Sequence, residues 1–430
     1  MQQVGDQGVE RAGALGGFEA VYRKKPPRPP SGACGRKGRG AGSFAAMPDL
    51  PFYRRPSGPV HFPNLNGLRF VAALLVVVSH IEQQRWYAGR PSYFLVPAVQ
   101  RLGDEGVTLF FVLSGFLITY LLLVEQEQTG RIAVGRFYGR RALSIWPLYF
   151  AVVLLALAVL PGVAWARGAG LSAAVTSHWP QQAALYALLL PNVALVLYGA
   201  VPYLSQTWSI GTEEQFYLLW PWVLRGAGRR VWPAVGGALA VLLLAKRLVV
   251  LAFQAKRPAP GPWLEYAFNF LTFFRLECLV IGAVPALLLF QRRTGVLRGL
   301  MARPTQWLTL LALLGLLAWG RRFALHEEIY AGLFAVLILN LAAAERPVVR
   351  LETRWLNYLG RLSYGLYMLH LLAVALVLHA LGPWLDARAR WQSWALTLLA
   401  TLGVSLLLAL ASFYGLERPF LRRKARLARA

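Results

Sequence analysis

The chain has little charge, and very little of one sign. It holds 19 Asp and Glu against 45 Lys and Arg in 430 residues, and charged residues make up only 15% of it. Soluble domains run near a quarter charged, so this composition argues against a globular enzyme with a single anchor. Cysteine is nearly absent. Cys34 lies in a polar tail and Cys278 in an apolar segment, which leaves no disulfide framework. The His and Cys residues show no metal-ligand spacing, so no metal site is expected. No segment of 20–50 residues repeats, which argues against a solenoid or propeller.

What the chain has in excess is apolar sequence. Hydrophobic residues make up 57% of it, in long blocks of Leu, Val and Ala. Many blocks approach the roughly 20 residues that span a bilayer. The length alone would suit two or three soluble domains, but composition overrides it and predicts a polytopic membrane protein. The net charge of +26 could suggest nucleic-acid binding. The Lys and Arg residues instead come in short bursts between apolar blocks, where the positive-inside rule puts them.

Eleven apolar blocks stand out, at roughly 65–82, 106–124, 142–161, 183–200, 207–224, 231–252, 266–290, 305–320, 327–344, 362–382 and 393–416. Basic clusters fall at 54–55, 131–141, 225–230, 292–303, 346–361 and 418–427. Placing every cluster in the cytoplasm requires that one block between 162 and 224 fail to cross. The block at 183–200 carries Pro191 and Asn192, so it is taken as re-entrant or peripheral. The expected fold is therefore all-α: a transmembrane helical bundle of about ten spans plus one re-entrant segment, with both termini cytoplasmic in the plasma membrane. Lys246, Arg247, Lys256, Arg257, Arg321 and Arg322 fit less well, because they approach the outer side.

The chain divides into four stretches. Residues 1–46 are basic, rich in Gly and Pro and without apolar periodicity, which predicts a disordered tail. A mis-called start upstream of Met47 would produce the same composition. Residues 47–64 form a cytoplasmic lead-in, 65–418 the membrane domain and 419–430 a basic cytoplasmic tail.

Ionisable groups inside a bilayer are expensive unless paired or hydrated, so they are functional candidates by default. Here they are Arg69, His80, Glu213, Glu214, Arg275, Glu277 and His370. Arg69 and His80 are eleven residues apart in "NLNGLRFVAALLVVVSH", residues 64–80. At about 100° per residue, both side chains lie on one helix face, separated by about 16 Å along the axis. Such a stripe suits a long substrate with an anionic end and a reactive end. A snorkelling Arg with an interfacial His would give the same pattern. "SQTWSIGTEEQFYLLWP" (205–221) brings Glu213 and Glu214 into an apolar run just after Gly211 and Thr212. "FNFLTFFRLECLVIGA" (268–283) sets Arg275 and Glu277 two residues apart in mid-span. They do not face each other on a helix, so each needs a partner from elsewhere. His370, in "SYGLYMLHLL", is a lone histidine on an apolar helix. In "GRFYGRRALSIWPLYF" (135–150), Arg136 and Arg140 share a face at spacing i, i+4, with Arg141 beside them. They suit a topology anchor, or a phosphate site, since the guanidinium fork binds phosphate bidentately.

Taken together, these stretches resemble the acyltransferase 3 family of integral-membrane acyltransferases. The resemblance runs from about Asn64 to Arg418. It is carried in order by the block at 64–80, "GDEGVTLFFVLSGFLIT" (103–119), "FYGRRALSIWPLY" (137–149), "TWSIGTEEQFYLLWP" (207–221), "LGRLSYGLYMLH" (359–370) and "ERPF" (417–420). It implies a ten-helix core that takes an acyl group, usually acetyl, from cytoplasmic acyl-CoA. The group passes to a hydroxyl, commonly on a cell-envelope glycan or glycolipid. No cofactor is implied beyond the acyl-CoA donor substrate. The resemblance makes His80 the leading catalytic residue, with Glu213 as the matching acidic position and Arg69 as the motif partner of His80. Arg140 and Arg141 become donor-phosphate contacts, and Arg275 an acceptor or oxyanion contact. His370 and Glu277 are further candidates. The family usually has an arginine where this chain has Ser144, which weakens that part of the phosphate contact.

On this basis Glu213 is expected to orient the His80 imidazole, as the acid does in a catalytic triad. Ser114 in "FVLSGF" has no base assigned to it and reads as a small residue for helix packing. The competing reading is a transporter or flippase for a glycolipid or small molecule, which would also suit intramembrane charge and a broken span.

Overall fold

A computed structural model of the chain describes residues 60–163, 178–257, 259–323 and 325–427. The tail at 1–46 and the lead-in as far as residue 59 lie outside the described residues. Among the described residues every regular element is a helix. This is what a lipid-embedded chain requires, because a helix satisfies its backbone N–H and C=O groups internally.

The helices are α1 (Leu65–Tyr87), α2 (Pro97–Thr129), α3 (Val134–Leu154), α4 (Trp179–Ala187), α5 (Pro191–Tyr198), α6 (Trp208–Ala227) and α7 (Val231–Ala255). They continue as α8 (Pro262–Phe274), α9 (Leu276–Phe290), α10 (Thr294–Leu300), α11 (Arg303–Trp319) and α12 (His326–Ala343). The last three are α13 (Arg354–Asp386), α14 (Arg390–Ser412) and α15 (Arg418–Leu427). Proline opens several of them, as at Pro97, Pro191 and Pro262, where the missing N–H has no intrahelical partner to lose. Gly130 closes α2 at φ 74°, a left-handed conformation that glycine adopts without a Cβ clash.

Eight helical stretches are long and apolar enough to cross a membrane, and a ninth follows if the bent pair α10–α11 counts as one span. One of the eight, Ser205–Ala255, is 51 residues long and contains a reversal. In α6, Glu213 meets Ser114 and Trp220 meets Thr119, so α6 runs parallel to α2. In α7, Trp232 meets Gln291 at the end of α9, and Lys246 meets Glu277 at its start. Thus α7 runs antiparallel to α9. Since α9 runs alongside α2 in the same direction (Asp104 by Arg275, Tyr120 by Phe290), α6 and α7 are two opposed crossings. With α6 and α7 counted separately and the bent pair α10–α11 counted as one span, the described residues hold ten such stretches, in line with the expected number. The block at 183–200 is not among them. It is two helices of nine and eight residues, too short to cross at 1.5 Å per residue. Asn192 of α5 is buried and exchanges hydrogen bonds with Gln215 of α6, each at 3.1 Å.

At the centre, α2 and α9 approach until side chains no longer fit between them. A Cβ on Gly115 would overlap the Leu279 carbonyl, and one on Gly282 would overlap that of Val112. Small residues at such a crossing let helix backbones pack closely where lipid offers no hydrophobic drive.

These directions put the basic clusters at 131–141, 225–230, 292–303, 346–361 and 418–427 at one end of the bundle. The other end holds the starts of α2, α9 and α12. Two of the misfitting basic residues are explained there by carboxylates. Lys246 Nζ lies 2.8 Å from Glu277, 2.9 Å from Glu328 and 3.5 Å from Glu327. Arg322 lies 3.0 Å from Asp104. Both are held by ion pairs at that end, which explains their departure from the simple charge rule.

Candidate active site

Arg69 and His80 both lie on α1, which is helical without interruption from Leu65 to Tyr87, so the expected one-face stripe is present. Ala73 and Val76 lie between them on the same side, at helical spacings of four and seven from Arg69. The stripe is thus a cation, two small apolar residues and a histidine.

His80 is paired with His370. His80 Nδ1 lies 2.8 Å from His370 Nε2, and the rings stack with centroids 4.9 Å apart. His370 Nδ1 in turn lies 2.6 Å from the Tyr367 carbonyl oxygen. A carbonyl only accepts, so His370 Nδ1 carries the proton and donates it. The Nε2 of a neutral His370 is then an acceptor, and His80 Nδ1 donates to it. This assigns the His80 tautomer from the network: its Nε2 carries the lone pair. That nitrogen makes no hydrogen bond within the described residues, and His80 is only half-buried. His370, which the sequence presented as a lone histidine, is fully buried and orients His80.

The expectation that Glu213 orients His80 is not met. Glu213 Oε1 accepts from Ser114 Oγ at 2.8 Å, and its Oε2 accepts from Tyr217 O–H at 3.0 Å. The physical reason is register. The α2–α6 crossing sets Glu213 opposite Ser114, while α13 supplies the neighbour of His80. Ser114, read as a packing residue, is a hydrogen-bond donor to Glu213, and the adjacent Gly115 makes the close helix approach.

Glu213 belongs instead with the arginines of the basic end. Arg69 is within electrostatic range of Arg141, Tyr217 and Glu213. Arg141 senses Tyr217, Arg140, Glu213 and Glu214. The three donor-side candidates, from α1 and α3, are therefore brought together. Arg140 is held by Glu125 at 2.7 Å. Arg141 lies against the rings of Phe137 and Tyr217, and its buried Nε has no hydrogen-bond partner. Arg136 is exposed. At the position where a further arginine is expected, the Ser144 hydroxyl donates to the Arg140 carbonyl at 2.8 Å.

Arg275 and Glu277 each find the partner on another helix that their spacing demanded. Arg275 interrupts the span with a left-handed residue at φ 41°, between α8 and α9. Its guanidinium lies 3.5 Å from Asp104 and 4.0 Å from Glu327. Glu277 pairs with Lys246. Asp104 is also within electrostatic range of His80. Among the described residues no three His, Cys, Asp or Glu side chains gather in a way that could hold a metal ion.

Sequence reasoning missed several participants. Gln206 donates to the Met368 carbonyl at 2.8 Å and Tyr367 donates to the Gln206 carbonyl at 2.9 Å, tying the His370 turn of α13 to the segment before α6. Asp104 and Glu105 stood in the quoted "GDEGVTLFFVLSGFLIT" block but were not singled out. Glu105 is buried and lies 2.8 Å from His326. An acidic pair directly before an apolar run was the signal available for both.

Residues 62–412 match the acyltransferase 3 family, described as an acyltransferase domain. The chain belongs to this family. It is a multi-pass membrane enzyme that transfers acyl groups. It is 29% identical over 357 residues to the acyltransferase MdmB of Streptomyces mycarofaciens, covering 79% of this chain and 85% of that one. It is 31% identical over 172 residues to the O-acetyltransferase OatA of Staphylococcus aureus, covering 39% of this chain and 25% of OatA. No solved structure matches it.

Proposed function

We propose that this acyltransferase takes its acyl group, by likeness to OatA an acetyl group, from acyl-CoA bound at the basic end. That end faces the cytoplasm of a plasma-membrane enzyme whose termini are both cytoplasmic. The acceptor is a hydroxyl of a cell-envelope glycan, glycolipid or similar molecule that enters from the opposite end. The observation that carries this reading is the α1 stripe. Arg69, next to Arg141, begins it at the basic end, and the His80–His370 pair ends it about 16 Å further along the axis. A donor with an anionic head and a distal thioester fits such a stripe.

His80 Nε2 takes the proton of the acceptor hydroxyl as its oxygen attacks the thioester carbonyl. The new C–O bond forms, the C–S bond breaks, and the imidazolium returns its proton to the departing sulfur. General-base assistance of this kind is typically worth about 10²- to 10⁴-fold. The His370 ring holds the base in the useful tautomer and stabilises the charge that develops on it. Arg275 and Asp104 form the polar neighbourhood of the acceptor and the developing oxyanion. Glu213 acts on the donor side, fixing Ser114 and Tyr217 beside Arg69 and Arg141. Glu277 holds Lys246.

The test is donor dependence. Purified enzyme given acetyl-CoA and envelope glycan should release free CoA thiol and yield acetylated glycan. A protein that moves an acceptor across the membrane without chemistry would release none, and that result would overturn the reading.

A further inference from the structure

The C-terminal helix α15 does not lead away from the bundle. It packs against α3, with Leu427 in van der Waals reach of the Cβ position of Gly139, at 3.5 Å. Lys424 is three residues before Leu427 and so shares its helix face. That sets Lys424 on the side of α15 that packs against α3, the helix that carries Arg140 and Arg141, and within electrostatic range of Arg141, Arg69 and Arg140. Lys424 is half-buried, whereas Arg422 and Arg423 on the same helix are exposed.

The four cations are not equally matched. Arg140 has Glu125. Among the described residues Arg69, Arg141 and Lys424 make no ion pair, and Arg141 Nε is buried with no hydrogen-bond partner. Glu213 is near, but both its oxygens accept from Ser114 and Tyr217. Like charges drawn together away from water repel and lose hydration, and an anion among them relieves both penalties. A guanidinium with an unused buried donor is suited to a phosphate oxygen.

We propose that Lys424 completes a phosphate-binding site with Arg69 and Arg141, and that α15 is thereby one wall of the donor site. The ligand chemistry is a phosphate ester or diphosphate, supplied by the nucleotide end of the acyl-CoA donor. The inference rests on the acyl-CoA reading above. It adds a residue and a structural element that lie outside the α1 and α3 motifs.

The experiment uses full-length enzyme in lipid nanodiscs, with Lys424→Gln, Lys424→Arg and, as a control on the same helix, Arg422→Gln. Two donors are compared, acetyl-CoA and S-acetylpantetheine, which lacks the nucleotide and its phosphates. Binding of 3′-phosphorylated ADP is measured by calorimetry. Lys424→Gln should raise KM for acetyl-CoA and weaken nucleotide binding about tenfold, in line with a lost charge-assisted hydrogen bond. Turnover at saturation and KM for S-acetylpantetheine should not change. Lys424→Arg should restore the wild-type values, and Arg422→Gln should match them. Equal effects on both donors, or unchanged nucleotide affinity, would overturn the proposal while leaving the acyl-CoA reading intact. An effect seen only when phosphatidylglycerol is in the disc would reassign the site to a lipid headgroup, which also overturns it. If wild-type enzyme neither uses acetyl-CoA nor binds the nucleotide, the acyl-CoA reading fails, and with it the donor assignment of this site. Pyrophosphate binding by wild type and Lys424→Gln then decides whether the anion site itself exists.

Discussion

Two groups of charged side chains lie within this bundle, and they are built on opposite principles. Near the starts of α2, α9 and α12, cations and carboxylates answer one another. Lys246 meets Glu277, Glu327 and Glu328, while Arg275, Arg101 and Arg322 meet Asp104. At the basic end Arg69, Arg141 and Lys424 lie within electrostatic range of one another and make no ion pair among the described residues. Where cations and carboxylates pair with one another, the protein compensates its own charges, so breaking a pair should harm the fold. A cluster with surplus positive charge suits an anionic ligand, so altering it should change binding and spare the fold.

The comparison is broken most severely at Lys246. Lys246→Met should leave Glu277 buried without its cation and destabilise the enzyme by about 3 kcal/mol, the lower end for a broken buried pair. Thermal unfolding of the purified enzyme should show this as a lowered midpoint, with the KM values of the folded fraction unchanged. An unaltered midpoint would mean that the network contributes nothing to stability and that the two groups do not differ in this way.

The next effect lies between the two clusters. His80→Ala should reduce turnover at least about 10²-fold at saturating donor, with normal membrane insertion. Near-normal turnover, at a confirmed membrane level, would move the catalytic role away from His80. His370→Phe should lower kcat on the order of 10²-fold or less, because it misplaces the base without removing it. The double variant should be no slower than His80→Ala alone, since the two residues act as a unit. Additive losses would refute the orienting role of His370.

At the basic end the expected changes are smaller and confined to the donor. Arg141→Gln should raise KM for acetyl-CoA about tenfold, with S-acetylpantetheine almost indifferent. Arg140→Gln should have the smaller effect, because Arg140 is already committed to Glu125. If kinetics of the two variants coincide, pairing with Glu125 does not set Arg140 apart.

Much of this was legible in the sequence, for identifiable reasons. Apolar blocks fix where helices run, since lipid forces the backbone to bond within itself. Basic bursts fix which ends lie together, and the predicted ten crossings, with 183–200 excluded, follow from those two rules. The Arg69–His80 stripe was readable because both residues lie on one helix, where spacing alone decides the face. Partners across helices were a different matter. His370 beside His80, Ser114 rather than His80 beside Glu213, and Lys424 among the arginines all depend on how one helix slides and turns against another. That register is set by close approaches such as Gly115 on Leu279 and Gly282 on Val112. Residues 290 positions apart, as His80 and His370 are, share no local signal. The sequence by itself determined the helical spans, because those depend on the transfer of each segment into lipid. Only the tertiary structure decided which charges are paired and which are not, because pairing is a property of two helices at once.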